Sequence, residues 1–248
     1  MIDVVMLPEL LDAKLLPQSQ VVVLDVLRAT SSVVTALANG AKGVQLLATV
    51  EQVTQAVATA PPPVVTAGER GCIKVPGFDL GNSPAEFQTH RVGGATVLLS
   101  TTNGTRAAIA AQEANSLFLA CLLNASATAQ ALMPRVDRLH TILVPAGTNN
   151  RIAHEDIIGA GAILWSLLGG SYRVDLPFTD TAWLAYNAFS ATRGRLGAAL
   201  RLGQGGINLL ENGFEEDIDF CAALDATPIV VGVKRPSLLA QIVKDAQC

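Results

Sequence analysis

Two hydrophobic patterns alternate along the chain. Short runs of consecutive apolar residues, often β-branched, occur at 21–24, 43–47, 64–66, 96–100, 117–120, 141–144 and 229–233. Gly, Pro or polar residues bound each run, the pattern of strands buried on both faces. Between them, apolar residues recur at helical spacing over 31–39, 50–60, 105–113, 125–133 and 154–168. This alternation predicts an α/β fold, layered α/β/α on a mostly parallel or mixed sheet. Pro61-Pro62-Pro63 is a breaker before the third strand and not a linker, because apolar patterning resumes at once. The last third is more helical, with a Gly- and Arg-rich stretch at 193–208. The expected organisation is one unit over 1–248, with a division into two α/β lobes at about 1–135 and 136–248 as the variant form.

The order strand, Arg-bearing polar turn, Ala-rich helix, strand, helix occurs twice, at 22–58 and 97–133. Arg28-Ala29 in the first copy corresponds to Thr105-Arg106-Ala107 in the second. Any two βαβα segments look somewhat alike. A true internal duplication would bring two Arg-bearing turns to one pseudo-dyad.

Composition narrows the class. Half the residues are hydrophobic and only 4% aromatic, so the core is built from Ala, Val, Leu and Ile. Net charge is −4 with no basic stripe, which argues against a nucleic-acid partner. The uncharged runs are too short to span a bilayer, and no basic segment followed by an apolar block opens the chain as a signal peptide would. Cys72, Cys121, Cys221 and Cys248 lack metal-finger spacing, so reduced, mostly buried thiols in a cytoplasmic protein are expected. The Ala, Leu and Gly content is compatible with a homodimer without requiring one.

Candidate chemistry collects where strands run into helices, which is where ligands bind in open α/β sheets. Asp25 and Arg28 follow the first run, and Asp25 stands either as a helix cap or as a desolvated carboxylate that needs a cation. The segment 67–87 carries Glu69, Arg70, Lys74, Asp79 and Glu86 and is long for a connector, so it reads as a binding loop. Asn103-Gly104-Thr105-Arg106 enters a helix as an anion-binding N-terminus or as a plain capped turn. Glu155 and Asp156 open another helix, where acids are favoured by the dipole or serve as hard oxygen ligands. Together these residues offer acids for a hard cation (Asp25, Glu69, Asp79, Glu155, Asp156) and donors for an anion (Arg28, Arg70, Lys74, Asn103, Arg106), a combination suited to phosphoryl chemistry. Several familiar sites are excluded. Leu27 stands where a haloacid-dehalogenase-type phosphatase needs its second Asp, and GxxxxGK[ST], GxSxG, GxGxxG and HExxH are all absent.

Four blocks, DVLRATSSV (25–33), GERGCIKVPGFDLGNSP (68–84), TTNGTRA (101–107) and AGTNNRIAHEDIIGAGAI (146–163), resemble in order the signature segments of the 2-phosphosulfolactate phosphatase family. GFEEDIDFCAALD (213–225) resembles its closing block, and the likeness runs from about residue 3 to about 235. Ser31-Ser32 departs from an expected Thr but keeps the hydroxyls. The resemblance implies an Mg²⁺-dependent phosphatase that converts (2R)-2-phospho-3-sulfolactate to 3-sulfolactate and phosphate, a step of coenzyme M biosynthesis in methanogens. It also implies an α/β fold unlike that of the haloacid-dehalogenase phosphatases. On this reading Asp25, Arg28 and Arg106 are catalytic. Arg28, Arg70, Lys74, Asn103, Gly104, Thr105 and Arg106 bind substrate, and Asp25, Glu69, Asp79, Glu155 and Asp156 are metal candidates, with Asp25 either ligand or nucleophile. The competing readings are a phosphatase for a related phospho-hydroxy acid and a non-catalytic sensor of a phosphorylated or sulfonated metabolite.

Overall fold

A computed structural model describes residues 1–169 and 176–243, which leaves Cys248 outside the described residues. The strands are β1 (Ile2–Val4), β2 (Ser19–Leu24), β3 (Gly43–Leu46), β4 (Val64–Arg70), β5 (Ile73–Lys74), β6 (Thr96–Ser100), β7 (Ser116–Ala120), β8 (His140–Pro145), β9 (Val231–Lys234) and β10 (Leu239–Ile242). The helices are α1 (Ala29–Ala38), α2 (Val50–Val57), α3 (Thr89–Val92), α4 (Gly104–Ala110), α5 (Ala125–Leu132), α6 (His154–Leu167), α7 (Asp180–Thr192), α8 (Leu196–Leu200), α9 (Gln204–Glu211) and α10 (Glu215–Cys221). All seven apolar runs are strands. The short β1, β5 and β10 carry no such run and are held by their neighbours. No helix among the described residues is long and apolar enough to cross a membrane.

The ten strands form one mixed sheet in the order β1-β8-β2-β7-β9-β10-β3-β6-β4-β5. Strands from before and after residue 135 share it, since β8 lies between β1 and β2. The two βαβα copies exchange partners: the first strand of each pairs with the second strand of the other, β2 with β7 and β6 with β3, both in parallel. The antiparallel β9–β10 hairpin sits between the two pairs. From β2 to β6 there are thus five inter-strand steps, about 24 Å in a flat sheet at ~4.8 Å per step. Yet a Cβ placed on Gly104, just after β6, would stand 2.9 Å from Asp25 Oδ2, just after β2. The sheet is therefore strongly curled, and the two copies meet turn against turn.

The core is aliphatic, as composition requires. Strand β2 is buried at every residue, as are the inward positions of α1. Helix α6 is buried along most of its length because it packs against both α5 and α7. Gly161 permits that packing: a Cβ there would stand 2.1 Å from the Ala185 carbonyl oxygen of α7. Cys121 and Cys221 are buried free thiols, and Cys72 is a half-buried one.

The segment 67–87 is less of a free loop than its length predicts. Strand β4 continues to Arg70 and returns as β5, pairing Glu69 with Lys74. Gly71 and Cys72 both have positive φ, as the two central residues of a type I′ hairpin turn do. A Gly-Cys pair is a poor sequence signal for such a turn, so the hairpin is invisible in the pattern.

Candidate active site

Asp25 leaves the buried end of β2 and meets the first turn of α1. Its Oδ1 accepts from the Ala29 N–H at 3.1 Å, so it does cap the helix. It also lines an open cleft with Arg28, Glu69, Asn82, Thr102 and Asn103. Burial, aided by the charge of Glu69, pushes the Asp25 carboxyl up to about 6 against the pull of the Ala29 and Gly104 N–H groups.

Glu69 stands at the mouth of the hairpin. Its Oε1 accepts from the Thr102 N–H (2.9 Å) and hydroxyl (3.0 Å), and its Oε2 from the Cys72 N–H (3.0 Å). One carboxylate thus ties β4 to the turn after β6. Asp156 does the same for another pair of strand ends. Its Oδ1 accepts from Val26 N–H at 2.8 Å and its Oδ2 from Gly147 N–H at 3.0 Å, joining the turns after β2 and β8. Burial first, then the charges of Asp25 and Glu155, holds the Asp156 carboxyl well above the usual range.

Glu155 is the least satisfied of the acids. It is buried, and its Oε2 has no hydrogen-bond partner. Burial, and secondarily the charge of Asp25, pushes it up to about 7. It lies beneath the start of α9, where a Cβ on Gly205 would stand 1.9 Å from Oε1. Gly205 itself lines the cleft. Among the described residues no group of three or more His, Cys, Asp or Glu side chains is arranged to hold a metal ion.

The cations are distributed differently from the sequence expectation. Arg28 is buried at the cleft wall, but its ionic partner is Asp217 of α10 at 2.6 Å, not Asp25. Its Nη2 donates to the Cys72 carbonyl at 3.0 Å, and the guanidinium carbon sits 4.2 Å from the centre of the Phe214 ring. Arg70 is exposed and folds back on its own strand end, donating to the Glu69 and Ser100 carbonyls (2.6 and 3.2 Å) and to the Ser100 hydroxyl (3.0 Å). Lys74 is exposed on β5. Arg106 pairs with Glu9 at 3.2 Å and bonds Asn150, outside the cleft wall. Asp79 also lies away from the cleft. Its Oδ2 accepts from the Thr66 N–H and hydroxyl, both at 2.8 Å, and those bonds hold its carboxyl below the usual range. Asn103 lines the cleft, Gly104 packs on Asp25, and Thr105 faces Thr101 inside the turn.

Several cleft residues carry no signal that sequence reasoning uses. Asn82 reads only as part of a turn, yet its Oδ1 is buried in the cleft wall without a partner. Gly205, Asn208 and Leu209 arrive from α9. Asp217 and Phe214 lie in the closing block, nearly two hundred residues from the arginine they hold. Asn149 was legible in principle: Asn149-Asn150 both adopt positive φ, which Asn tolerates better than most residues.

The curled sheet and its cleft of acids, amides and one buried arginine define an α/β enzyme whose site is assembled from converging strand ends. Relatives give the class more narrowly. A family profile described as 2-phosphosulpholactate phosphatase matches residues 5–236. A probable 2-phosphosulfolactate phosphatase of Pseudothermotoga lettingae is 40% identical over 234 residues, covering 93% of this chain and 94% of that protein. One from Caldanaerobacter subterraneus subsp. tengcongensis is 36% identical over 233 residues, covering 94% and 92%. One from Deinococcus radiodurans is 40% identical over 222 residues, covering 87% and 90%. The chain belongs to the 2-phosphosulfolactate phosphatase family.

Proposed function

We propose that the protein hydrolyses (2R)-2-phospho-3-sulfolactate to 3-sulfolactate and phosphate in an Mg²⁺-dependent reaction. The observation that carries this reading is the charge of the cleft. Asp25 and Glu69 line it, and Glu155 and Asp156 lie buried and within electrostatic reach of Asp25. Arg28, the one cation among the described lining residues, is already paired with Asp217. Such a cleft repels a substrate that carries a phosphate, a carboxylate and a sulfonate unless a cation enters with it.

The donor chemistry fits Mg²⁺. The acids on offer are hard oxygen donors, burial raises the carboxyls of Asp25, Glu155 and Asp156, and Glu155 Oε2 lacks any partner. Mg²⁺ is usually held by one or two carboxylates, waters and the substrate phosphate, so a preformed cage is unnecessary. Asp25 is assigned as the cation-facing carboxylate. The group supplies neutralisation of phosphate charge and polarisation of the phosphoryl oxygens when bound.

The chain's own side chains do the rest. Asn103 and Asn149 offer amide donors to anionic oxygens at the cleft wall. Arg28 lines the cleft and keeps three of its five N–H donors after the two named bonds, and this reading assigns them to the substrate's anionic oxygens. Leu27 and Leu209 supply apolar wall that limits water. The names of the relatives support the choice of substrate.

The test is phosphate release from 2-phospho-3-sulfolactate with Mg²⁺, with and without EDTA. Release that EDTA abolishes and Mg²⁺ restores is the expected result. Turnover of another phosphorylated hydroxy acid in its place overturns the substrate assignment. Ligand binding that survives EDTA, with no turnover of any phosphoester, overturns the enzymatic one.

A further inference from the structure

Arg28 is unusually well held for a residue at a polar cleft. Its Nη1 donates to Asp217 Oδ2 at 2.6 Å, and both side chains are almost wholly buried. Asp217 Oδ1 in turn accepts from the Ser83 hydroxyl at 2.6 Å. The Cys72 carbonyl takes Nη2, and Phe214 covers one face of the guanidinium. Three contacts from two segments thus hold one planar group, and Ser83 braces Asp217 from a third. Fixing a long side chain is entropically costly, and a buried ion pair by itself is weak support for stability. An account in terms of packing alone leaves unexplained why so constrained a charge stands at the cleft wall.

We infer that Asp217 is a positioning residue for substrate binding, holding the Arg28 guanidinium at the cleft wall and away from Asp25. Asp217 is not itself part of the described wall, so it acts through Arg28. Arg28 lies within electrostatic reach of Asp25. Without a stronger partner behind it, the guanidinium is drawn forward onto Asp25 and Glu69. That movement removes an anion donor from the wall and blocks the carboxylate assigned to the cation. Asp217 and Ser83 together anchor the arginine from behind, leaving its remaining N–H donors for the substrate. Helix α10 therefore completes a site whose other parts come from the first 160 residues and from α9. The inference rests on the reading above that Arg28 binds the anionic substrate.

The test uses the full chain with Mg²⁺, steady-state kinetics on 2-phospho-3-sulfolactate, and the Kd of inorganic phosphate by calorimetry. Asp217→Asn keeps the shape and the Ser83 contact but presents an N–H to the guanidinium. It is expected to raise KM and the phosphate Kd at least tenfold, with a smaller change in kcat. Arg28→Met alone should show a similar loss, and the double variant Arg28→Met/Asp217→Asn should match Arg28→Met within about twofold, because the two act as one unit. Ser83→Ala, which loosens the same anchor, should raise KM three- to tenfold. If Arg28→Met loses affinity while Asp217→Asn does not, or if the two losses multiply, the positioning role fails and the clamp reading stands. If Arg28→Met changes nothing, the clamp reading itself fails. Should Asp217→Asn not fold, a Ser83→Ala variant with unchanged KM overturns the inference.

Discussion

The two strand-to-helix turns at the centre of the molecule share an origin in pattern and differ in almost everything else. Each follows a buried apolar strand, carries an Arg and opens an Ala-rich helix. In the turn after β2, Asp25 and Arg28 are buried, at 7% and 3% exposure. In the turn after β6 the corresponding Arg106 is 39% exposed and pairs with Glu9 at the surface. The second turn contributes little charge to the cleft. It gives Thr102 and Asn103 to the wall, and Gly104 supplies the bare backbone that lets Asp25 approach. One βα scaffold thus became a charged half-site and the other a neutral one. The difference lies in what packs over each turn, since α10 and Phe214 cover Arg28 whereas Arg106 pairs with Glu9 and bonds Asn150, its Nε and Nη2 buried without a partner.

The sharpest way to break this comparison is to remove each arginine in turn. Arg28→Ala strands Asp217 as a buried charge, with an expected loss of about 3–5 kcal/mol in chemical denaturation. Equal stability in the variant would mean that the pair is solvated and the first turn is no different from the second. Next in size is Asp25→Asn, which should reduce turnover at least a hundredfold, roughly 3 kcal/mol of transition-state stabilisation. Phosphate release within twofold of wild type would leave Asp25 as a helix cap only.

The same substitution has an opposite effect on stability. Asp25 is raised from 3.8 to about 6 in the folded protein. The folded state therefore binds more protons than the unfolded one between those values, and stability falls as pH rises through that window. In metal-free buffer at pH 8, Asp25→Asn should be more stable than wild type by on the order of 1–3 kcal/mol. The gap should close towards pH 4, and Mg²⁺ should narrow it at pH 8 by stabilising the wild type. Denaturant midpoints at the two pH values measure it, and a gap that does not depend on pH refutes the desolvated-carboxylate account. Smallest of all is Arg106→Ala. Its exposed ion pair predicts a stability change of about 0–1 kcal/mol and a KM shift below threefold. A tenfold KM increase would move the second turn into the binding site and erase the contrast.

Much of the fold was legible. A continuous Val/Ile/Leu run has few fates other than a buried strand, so all seven runs found their places in the sheet. The βαβα repetition was also readable, although its meaning was not, because the exchange of partners between copies involves pairings of strands nearly a hundred residues apart. The strands without a run were missed for a plain reason. Three or four residues such as Ile2–Val4 or Leu239–Ile242 become strands only when a neighbouring edge supplies their hydrogen bonds.

The site divides along the same line. Asp25 and Glu69 stood out as acids following apolar strands, Glu155 and Asp156 as a pair opening a helix after one, and all four are buried. The expected ring of cations did not assemble. Arg70 turned back on Ser100, Lys74 stayed at the surface and Arg106 went to Glu9 and Asn150; of the acids, Asp79 went to Thr66. Nothing local distinguishes an arginine that will be buried from one that will not.

What the chain's order of residues determined by itself was the α/β class and the collection of acids at the strand-to-helix turns, because burial of apolar runs and the cost of placing charge beside them are local facts. What only the tertiary structure decided was partnership: Arg28 with Asp217 and not with Asp25, Glu155 under Gly205, and the two turns face to face. Those depend on the curl of the whole sheet. Contacts between segments a hundred or more residues apart are set by the closing of the core, which no stretch of sequence encodes alone.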